Sequence, residues 1–382
     1  MSQTPLELPP LSLYIHIPWC VKKCPYCDFN SHAARTNLPE KEYVDALLRD
    51  LGKDLYLTQD RPLQSIFFGG GTPSLFSSSG ISRILQETEK LIPFSGDIEI
   101  TLEANPGTFE QHKFQGFRQA GVNRLSIGIQ SFTDRHLQKL GRIHSAADAL
   151  QAVKSARRAG FDNFNLDLMH GLPEQTTQQA ISDLKQAIAL EPSHISWYQL
   201  TIEPNTAFFS SPPELPQENI LDSIQQQSHH LLADKGYKQY EVSAFSTTGK
   251  QSRHNLNYWQ FGDYLGIGAG AHGKITLPEK QQIIRTAKTR LPADYLARKD
   301  SFLASQKAIL QDELPLEFMM NALRLNAGVP TVFFQERTGL SIESISAAWQ
   351  ELHDLALVEN LSEKLATTPR GLLFLNSVLE RF

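Results

Sequence analysis

Apolar positions along this chain fall into short β-type runs, most of them followed by a longer stretch of helical spacing. Leu13-Tyr14-Ile15-His16-Ile17 alternates, is rich in β-forming residues and stops at Pro18, so the pattern predicts a strand. Over 38–57, Tyr43, Val44, Leu47, Leu48, Leu51 and Leu55 recur at helical spacing behind Pro39-Glu40, which predicts a helix. The unit then repeats. Further strands are predicted at 65–68, 98–102, 124–129, 164–168 and 194–200, with helices at 81–91, 146–159 and 178–190.

Six strands alternating with helices argue a parallel sheet. The unusual polar and glycine-rich sequences sit where strands end, which is where a (β/α) barrel places its active site. Six units instead of eight predict an incomplete (β/α)6 barrel, open on one side. A doubly wound open sheet is the alternative, since strand order is not written in the pattern. Beyond it, 208–216 is too rich in proline for a regular element and reads as a loop or lid, followed by a helix over 220–235 and a strand over 240–245. From about 314 the chain reads as a small winged-helix-like α+β unit, with helices at 316–325, 330–338 and 341–357 and a last strand and helix within 365–382. The expected division is 1–205 for the partial barrel, 206–300 for a region completing it, and 301–382 for the C-terminal unit.

Composition changes this picture little. With 41% hydrophobic and 20% charged residues the 382-residue chain is ordinary for a soluble protein, and a net charge of −5 gives no general field for nucleic acid or anionic lipid. The candidate recognition helix over 341–357 carries Glu343, Glu351 and Asp354 and no Lys or Arg, which argues against nucleic acid as a partner. The stretch 1–10 does not read as a secretory signal, and no apolar run of about 18 residues exists to span a bilayer. The expectation is a cytoplasmic protein with no transmembrane segment, whose thiols stay reduced.

All three cysteines lie in Cys20-Val21-Lys22-Lys23-Cys24-Pro25-Tyr26-Cys27, directly after the first strand. Three soft thiolates at C-x3-C-x2-C spacing can hold one metal centre and leave a position open, as a reactive centre requires. A cubane iron–sulfur cluster fits, with Tyr26 placed to shield it; a structural zinc site completed by His16 or His32 is the bland alternative. Gly69-Gly70-Gly71-Thr72 allows close backbone approach of a small polar ligand, and it is no P-loop because no Gly-Lys-Ser/Thr follows. Glu103, Gln130 and Asp167 recur at successive strand ends, where each alone could be a cap or a solvated residue, and Arg142 is a candidate carboxylate clamp. A second concentration lies at His254-Asn255-Leu256-Asn257-Tyr258-Trp259 and at the glycine-rich run 264–273 ending in His272-Gly273.

These residues carry a resemblance. Cys-x3-Cys-x2-Cys after Tyr14-Ile15-His16-Ile17-Pro18, the glycine motif, Glu103-Ala104-Asn105-Pro106 and Leu166-Asp167-Leu168 together resemble the radical S-adenosylmethionine superfamily. Over essentially its full length the chain is similar to the HemW heme chaperones, a branch of the oxygen-independent coproporphyrinogen III dehydrogenase-like proteins. The resemblance implies a 4Fe-4S cluster on Cys20, Cys24 and Cys27, with S-adenosylmethionine on its open iron as the source of a 5′-deoxyadenosyl radical. It implies Gly70, Gly71 and Thr72 at the methionyl part, Glu103 at its amino group, Arg142 at its carboxylate, Gln130 and Asp167 at the remaining polar groups, and Tyr14 and Tyr26 flanking cluster and cofactor.

One departure selects the branch. The dehydrogenases carry a further cysteine two positions after the third, and this chain has Asp28-Phe29 there. The His254 motif is the one associated with heme in the HemW branch, so the resemblance implies heme near His254, Asn255, Tyr258 and Trp259; a hydrogen-bonded structural histidine and core aromatics are the alternative. The expected function is a heme chaperone that binds heme and passes it to acceptor proteins, with the respiratory chain as their expected setting and a peripheral place at the inner membrane through such a partner, and with a homodimer left open. Coproporphyrinogen III dehydrogenation and radical methyl transfer are the competing activities. No residue is assigned a catalytic role.

Overall fold

A computed structural model describes residues 5–34, 38–362 and 364–382, and of the stretch 1–10 the first four residues lie outside it. The six predicted strands are present as β1 (Leu11–Ile17), β2 (Leu63–Gly70), β3 (Phe94–Ala104), β4 (Arg124–Gln130), β5 (Phe164–His170) and β6 (His194–Gln199). Six more follow: β7 (Lys238–Glu241), β8 (Ala244–Ser246), β9 (Asp263–Ile267), β10 (His272–Leu277), β11 (Gln282–Lys288) and β12 (Leu303–Ala308). They form one sheet in the order β12-β11-β10-β9-β1-β2-β3-β4-β5-β6-β8-β7.

Strands β1 to β6 stand side by side in chain order and pair in parallel. A doubly wound sheet reverses direction at a switch point, and this order has none, so the doubly wound alternative falls. Right-handed crossovers that always step the same way carry every helix to the same face and curl the sheet into part of a barrel. The sheet stays unclosed, ending at β12 and β7.

Two expectations need correction. The single strand over 240–245 is a tight hairpin of β7 and β8, because Glu241 accepts the Ser243 N–H through its own carboxylate at 3.0 Å and turns the chain. Within 264–273, read only as a glycine-rich motif, β9 pairs parallel to β1 and extends the parallel part of the sheet by one strand.

The helices pack through their apolar faces, and some of them begin on a side-chain cap. In α1 (Glu40–Asp54), Tyr43, Val44, Leu47 and Leu51 are buried, and in α2 (Ser78–Leu91) Ile81, Ile84 and Leu85 are. Helices α3 (Ala146–Arg158) and α4 (Thr177–Ala189) each start on a capping box, Ser145 with Asp148 and Thr176 with Gln179. Helix α5 (Glu218–Asp234) precedes the hairpin, and α6 (Arg253–Trp259) carries the second motif, opened by Ser252, whose hydroxyl accepts the Asn255 N–H.

The C-terminal unit holds α7 (Leu314–Ala322), α8 (Val332–Thr338) and α9 (Glu343–Asp354), each shorter than its apolar pattern suggested. Where a wing was expected, Val329–Pro330 pairs antiparallel with Lys364–Leu365. Helix α9 turns Ile345, Trp349 and Leu352 into a second core. That core crosses the expected boundary at 301, since Leu6, Tyr240, Phe261 and Ile283 belong to it.

Candidate functional site

The C-terminal ends of β1 to β6 open into a cavity of about 360 Å³. The cysteine loop forms one wall. Its ends are tied by a short parallel pairing of Trp19–Cys20 with His32–Ala33, and Cys27 donates its N–H to the Cys24 carbonyl at 3.2 Å. Cys20, Cys24 and Cys27 are free thiols, all on the cavity wall. Burial pushes the Cys20 and Cys27 thiols up, so a cation is needed to hold them as thiolates.

The three thiols are a donor set that fits a cubane with one iron left open. Among the described residues no three Cys, His, Asp or Glu side chains converge on one ion-sized point. A cubane spreads its ligands over three separate irons and needs no such convergence. The histidines that could close a zinc site are engaged elsewhere. His16 bonds the Tyr14 hydroxyl at 3.0 Å and the Asn30 carbonyl at 2.9 Å, and His32 bonds Asn30 Oδ1 at 3.3 Å.

Facing the cysteines, Gly70, Gly71 and Thr72 bring backbone to the cavity. Gly70 has φ of +114°, and a Cβ on Gly71 would lie 2.5 Å from the Trp19 carbonyl oxygen, so the close approach of β2's end to the loop requires both glycines. Thr72 is pinned by its N–H to the Trp19 carbonyl at 2.7 Å and by Asn105 Nδ2, which donates to its hydroxyl at 2.8 Å. Arg142 donates to Asn105 Oδ1 at 2.6 Å, to the Gly128 carbonyl at 2.8 Å and toward Cys24 Sγ at 3.7 Å, which places the guanidinium beside the loop.

The acids are what an incoming cation would meet. Glu103 accepts the Gly70 N–H at 3.1 Å, and burial with the nearby Asp167 carboxylate raises its pKa to about 8. Burial also raises Asp167, which accepts from Ser126 Oγ at 2.9 Å and Asn165 Nδ2 at 2.8 Å. Gln130 lines the same wall with φ of +68°, a left-handed conformation uncommon for a residue with a side chain. Two buried acids pushed toward neutrality suit a ligand that brings positive charge.

A second cavity of about 760 Å³ abuts the first and shares Asp28, Phe29, Gly70 and Glu103 with it. Tyr14 lies on this wall, and Tyr26 lies on the wall of the first cavity, its ring 6.3 Å from that of Phe208. Tyr258 and Trp259 line the second cavity. His254 is on the wall of neither: it is 1% exposed, stacks on Phe67 at 5.0 Å, and its ring nitrogens bond Ser65 Oγ and the Tyr258 hydroxyl, each at 2.9 Å. Asn255 lines neither cavity, and its backbone N–H is capped by the Ser252 hydroxyl at the start of α6.

Residues the sequence reading passed over complete the two walls. Asn105 stood inside a quoted motif and bridges Thr72 to Arg142. Asn30, which no motif flagged, donates from Nδ2 to the carbonyls of Ala269 and Arg290, both at 2.9 Å, and so ties the cysteine loop to the turn before β10 and to the segment just after β11.

Sequence and structure comparisons agree with this geometry. Residues 14–187 match the radical SAM superfamily and residues 309–374 match the HemN C-terminal domain. The chain's fold is that of coproporphyrinogen III oxidase (HemN) from Escherichia coli, a radical SAM enzyme, with a TM-score of 0.82 at 23% identity over 98% of this chain and 90% of that one. The chain is therefore a member of the radical SAM superfamily. It is 53% identical over 98% of both chains to heme chaperone HemW of Haemophilus influenzae, and 50% identical over 99% of both to heme chaperone HemW of Escherichia coli. Within the superfamily it belongs to the HemW family.

Proposed function

We propose that this chain binds heme and hands it to acceptor proteins, and that a 4Fe-4S cluster with S-adenosylmethionine beside it governs the handover. The observation that carries this reading is the second cavity, large enough for a sizeable ligand, walled by Tyr258, Trp259 and Tyr264, and contiguous with the cysteine cavity. Names of the relatives support it, since the two relatives named above, matched over nearly their full length, are called heme chaperones. When bound, the cluster supplies one-electron chemistry at the open face of the loop.

In this reading Cys20, Cys24 and Cys27 hold the cluster and Tyr26 covers it from solvent. Gly70, Gly71 and Thr72 offer backbone groups to the methionyl part of S-adenosylmethionine, Glu103 takes its ammonium group and Arg142 its carboxylate. Gln130 and Asp167 hold the remaining polar groups, and Tyr14, on the wall of the second cavity, flanks cluster and cofactor. Tyr258 and Trp259 pack on the porphyrin, with His254 behind Tyr258 and Asn255 held by Ser252 at the start of α6. The acceptors are respiratory heme proteins reached from the cytoplasmic side of the inner membrane, and no helix among the described residues is long and apolar enough to cross it.

The dehydrogenase reading is disfavoured by Phe29. It stands where those enzymes carry a further cysteine, is 61% exposed, and lies on the wall of both cavities. Anaerobically reconstituted protein should hold about four irons and four sulfides, bind hemin, pass it to an apo acceptor, and leave coproporphyrinogen III unchanged when given reductant and S-adenosylmethionine. Decarboxylation at a catalytic rate would sink the chaperone reading, and zinc without sulfide would sink the cluster.

A further inference from the structure

We propose that His272 is the iron ligand for heme in the second cavity and that His254 acts as a positioning residue, fixing Tyr258; this rests on the heme-carrying reading above. His254 has no coordination capacity to spare. One nitrogen bonds Ser65 and the other the Tyr258 hydroxyl, and the ring is 1% exposed and stacked on Phe67. To reach a porphyrin iron it would have to break the Tyr258 bond and displace Tyr258 from the wall.

His272 has what His254 lacks. It opens β10, lines the second cavity and is exposed, and among the described residues its ring makes no hydrogen bond. With no hydrogen-bond partner among the described residues, a ring nitrogen is left to offer its lone pair to a heme iron in that cavity. The chain before it is built to present it. Gly268 and Gly270 have φ of +103° and +81°, and Asn30 packs where a Cβ on Gly270 would be, with its amide clamping the Ala269 and Arg290 carbonyls. The turn that aims His272 is thereby fixed to the cysteine loop.

The rest of the cavity suits a planar aromatic with carboxylate arms. Tyr258 and Tyr264 meet edge to face at 4.3 Å, and the Trp259 indole N–H is buried without a partner. Arg290 sits exposed on the rim, where among the described residues its side chain makes one hydrogen bond, from Nε to Asn30 at 3.4 Å, which leaves its terminal nitrogens to pair with a propionate.

The test is hemin titration of the full-length, cluster-loaded protein followed by absorption and electron paramagnetic resonance spectra, for wild type, His272→Ala, His272→Met and His254→Ala. Wild type should bind hemin with an imidazole-ligated spectrum. His272→Ala should lose that signature and bind about ten-fold or more weakly, and free imidazole should restore it. His272→Met should fold as wild type and show a thioether-type spectrum, which keeps the assignment testable if the alanine variant misfolds. His254→Ala should keep the imidazole signature and bind a few-fold more weakly as Tyr258 loosens. A wild-type spectrum in folded His272→Ala or His272→Met overturns this assignment alone, as does loss of the signature in His254→Ala with retention in His272→Ala. Failure of wild type to bind hemin overturns the heme-carrying reading and this assignment with it.

Discussion

At the scale of single residues, charge is the feature most open to test. Glu103 has an ordinary value of 4.5 and about 8 in the folded protein, raised first by burial and then by Asp167. Between those values the folded state keeps a proton that the unfolded state has released, so stability must fall as pH rises through this window and level off above it. Because Glu103 faces a cavity that water can enter, the slope should stay below about 1.4 kcal/mol per pH unit. Urea unfolding of the cofactor-free protein between pH 5.5 and 8.5 should show the decline. Glu103→Gln should flatten it in part, the remainder belonging to Asp167, whose pKa is raised in the same direction; an unchanged slope in that variant would remove Glu103 as its source. Residues of this kind were legible in the sequence because they repeat at strand ends. His254 was legible as a motif, but burial decides its role, and burial depends on Phe67 and Ser65, far away in the chain.

Among elements, the strands of the barrel could be read because each is a compact apolar run between turn residues. Strand β9 could not, since it is five residues long and Gly266 interrupts its apolar character, and only pairing with β1 makes it a strand. The link between the cysteine loop and the turn before β10 was equally hidden, because it rests on one asparagine and carbonyl groups about 240 to 260 positions away. Asn30→Ala removes the donor for two carbonyls and should destabilise the protein by about 1–3 kcal/mol. Amide exchange should locate the damage: protection should drop at the Gly270 and Ala271 N–H groups, which bond Thr289 and Gly268, while the helices α3 and α4 keep theirs. Loss of protection spread evenly over the sheet would mean that Asn30 supports the fold generally and clamps nothing in particular.

For the molecule as a whole, the question is whether the C-terminal unit is an appendage or part of the heme cavity. Its core includes Tyr240 from the β7–β8 hairpin, Phe261 after α6 and Ile283 of β11, so cutting the chain near 309 would strip cover from three large apolar side chains. Polar ties run the same way. Arg285 of β11 donates to the Tyr264 hydroxyl at 2.7 Å and pairs with Glu317 of α7, and Arg324 reaches Glu241 of β7 at 3.5 Å. Tyr264 in turn packs edge to face on Tyr258, and Asn321 of α7 is itself on the cavity wall. Full-length protein should therefore unfold in one calorimetric transition, and a fragment ending at 308 should aggregate or lose hemin binding. Glu317→Gln is the gentler probe. It weakens the hold on Arg285 without opening the core, so hemin affinity should fall a few-fold while iron and sulfide content stay unchanged, because nothing in the cysteine cavity touches Glu317. Wild-type hemin affinity in a soluble 1–308 fragment would show that the heme cavity stands without α7, and the tie through Arg285 would then serve only to dock the C-terminal unit.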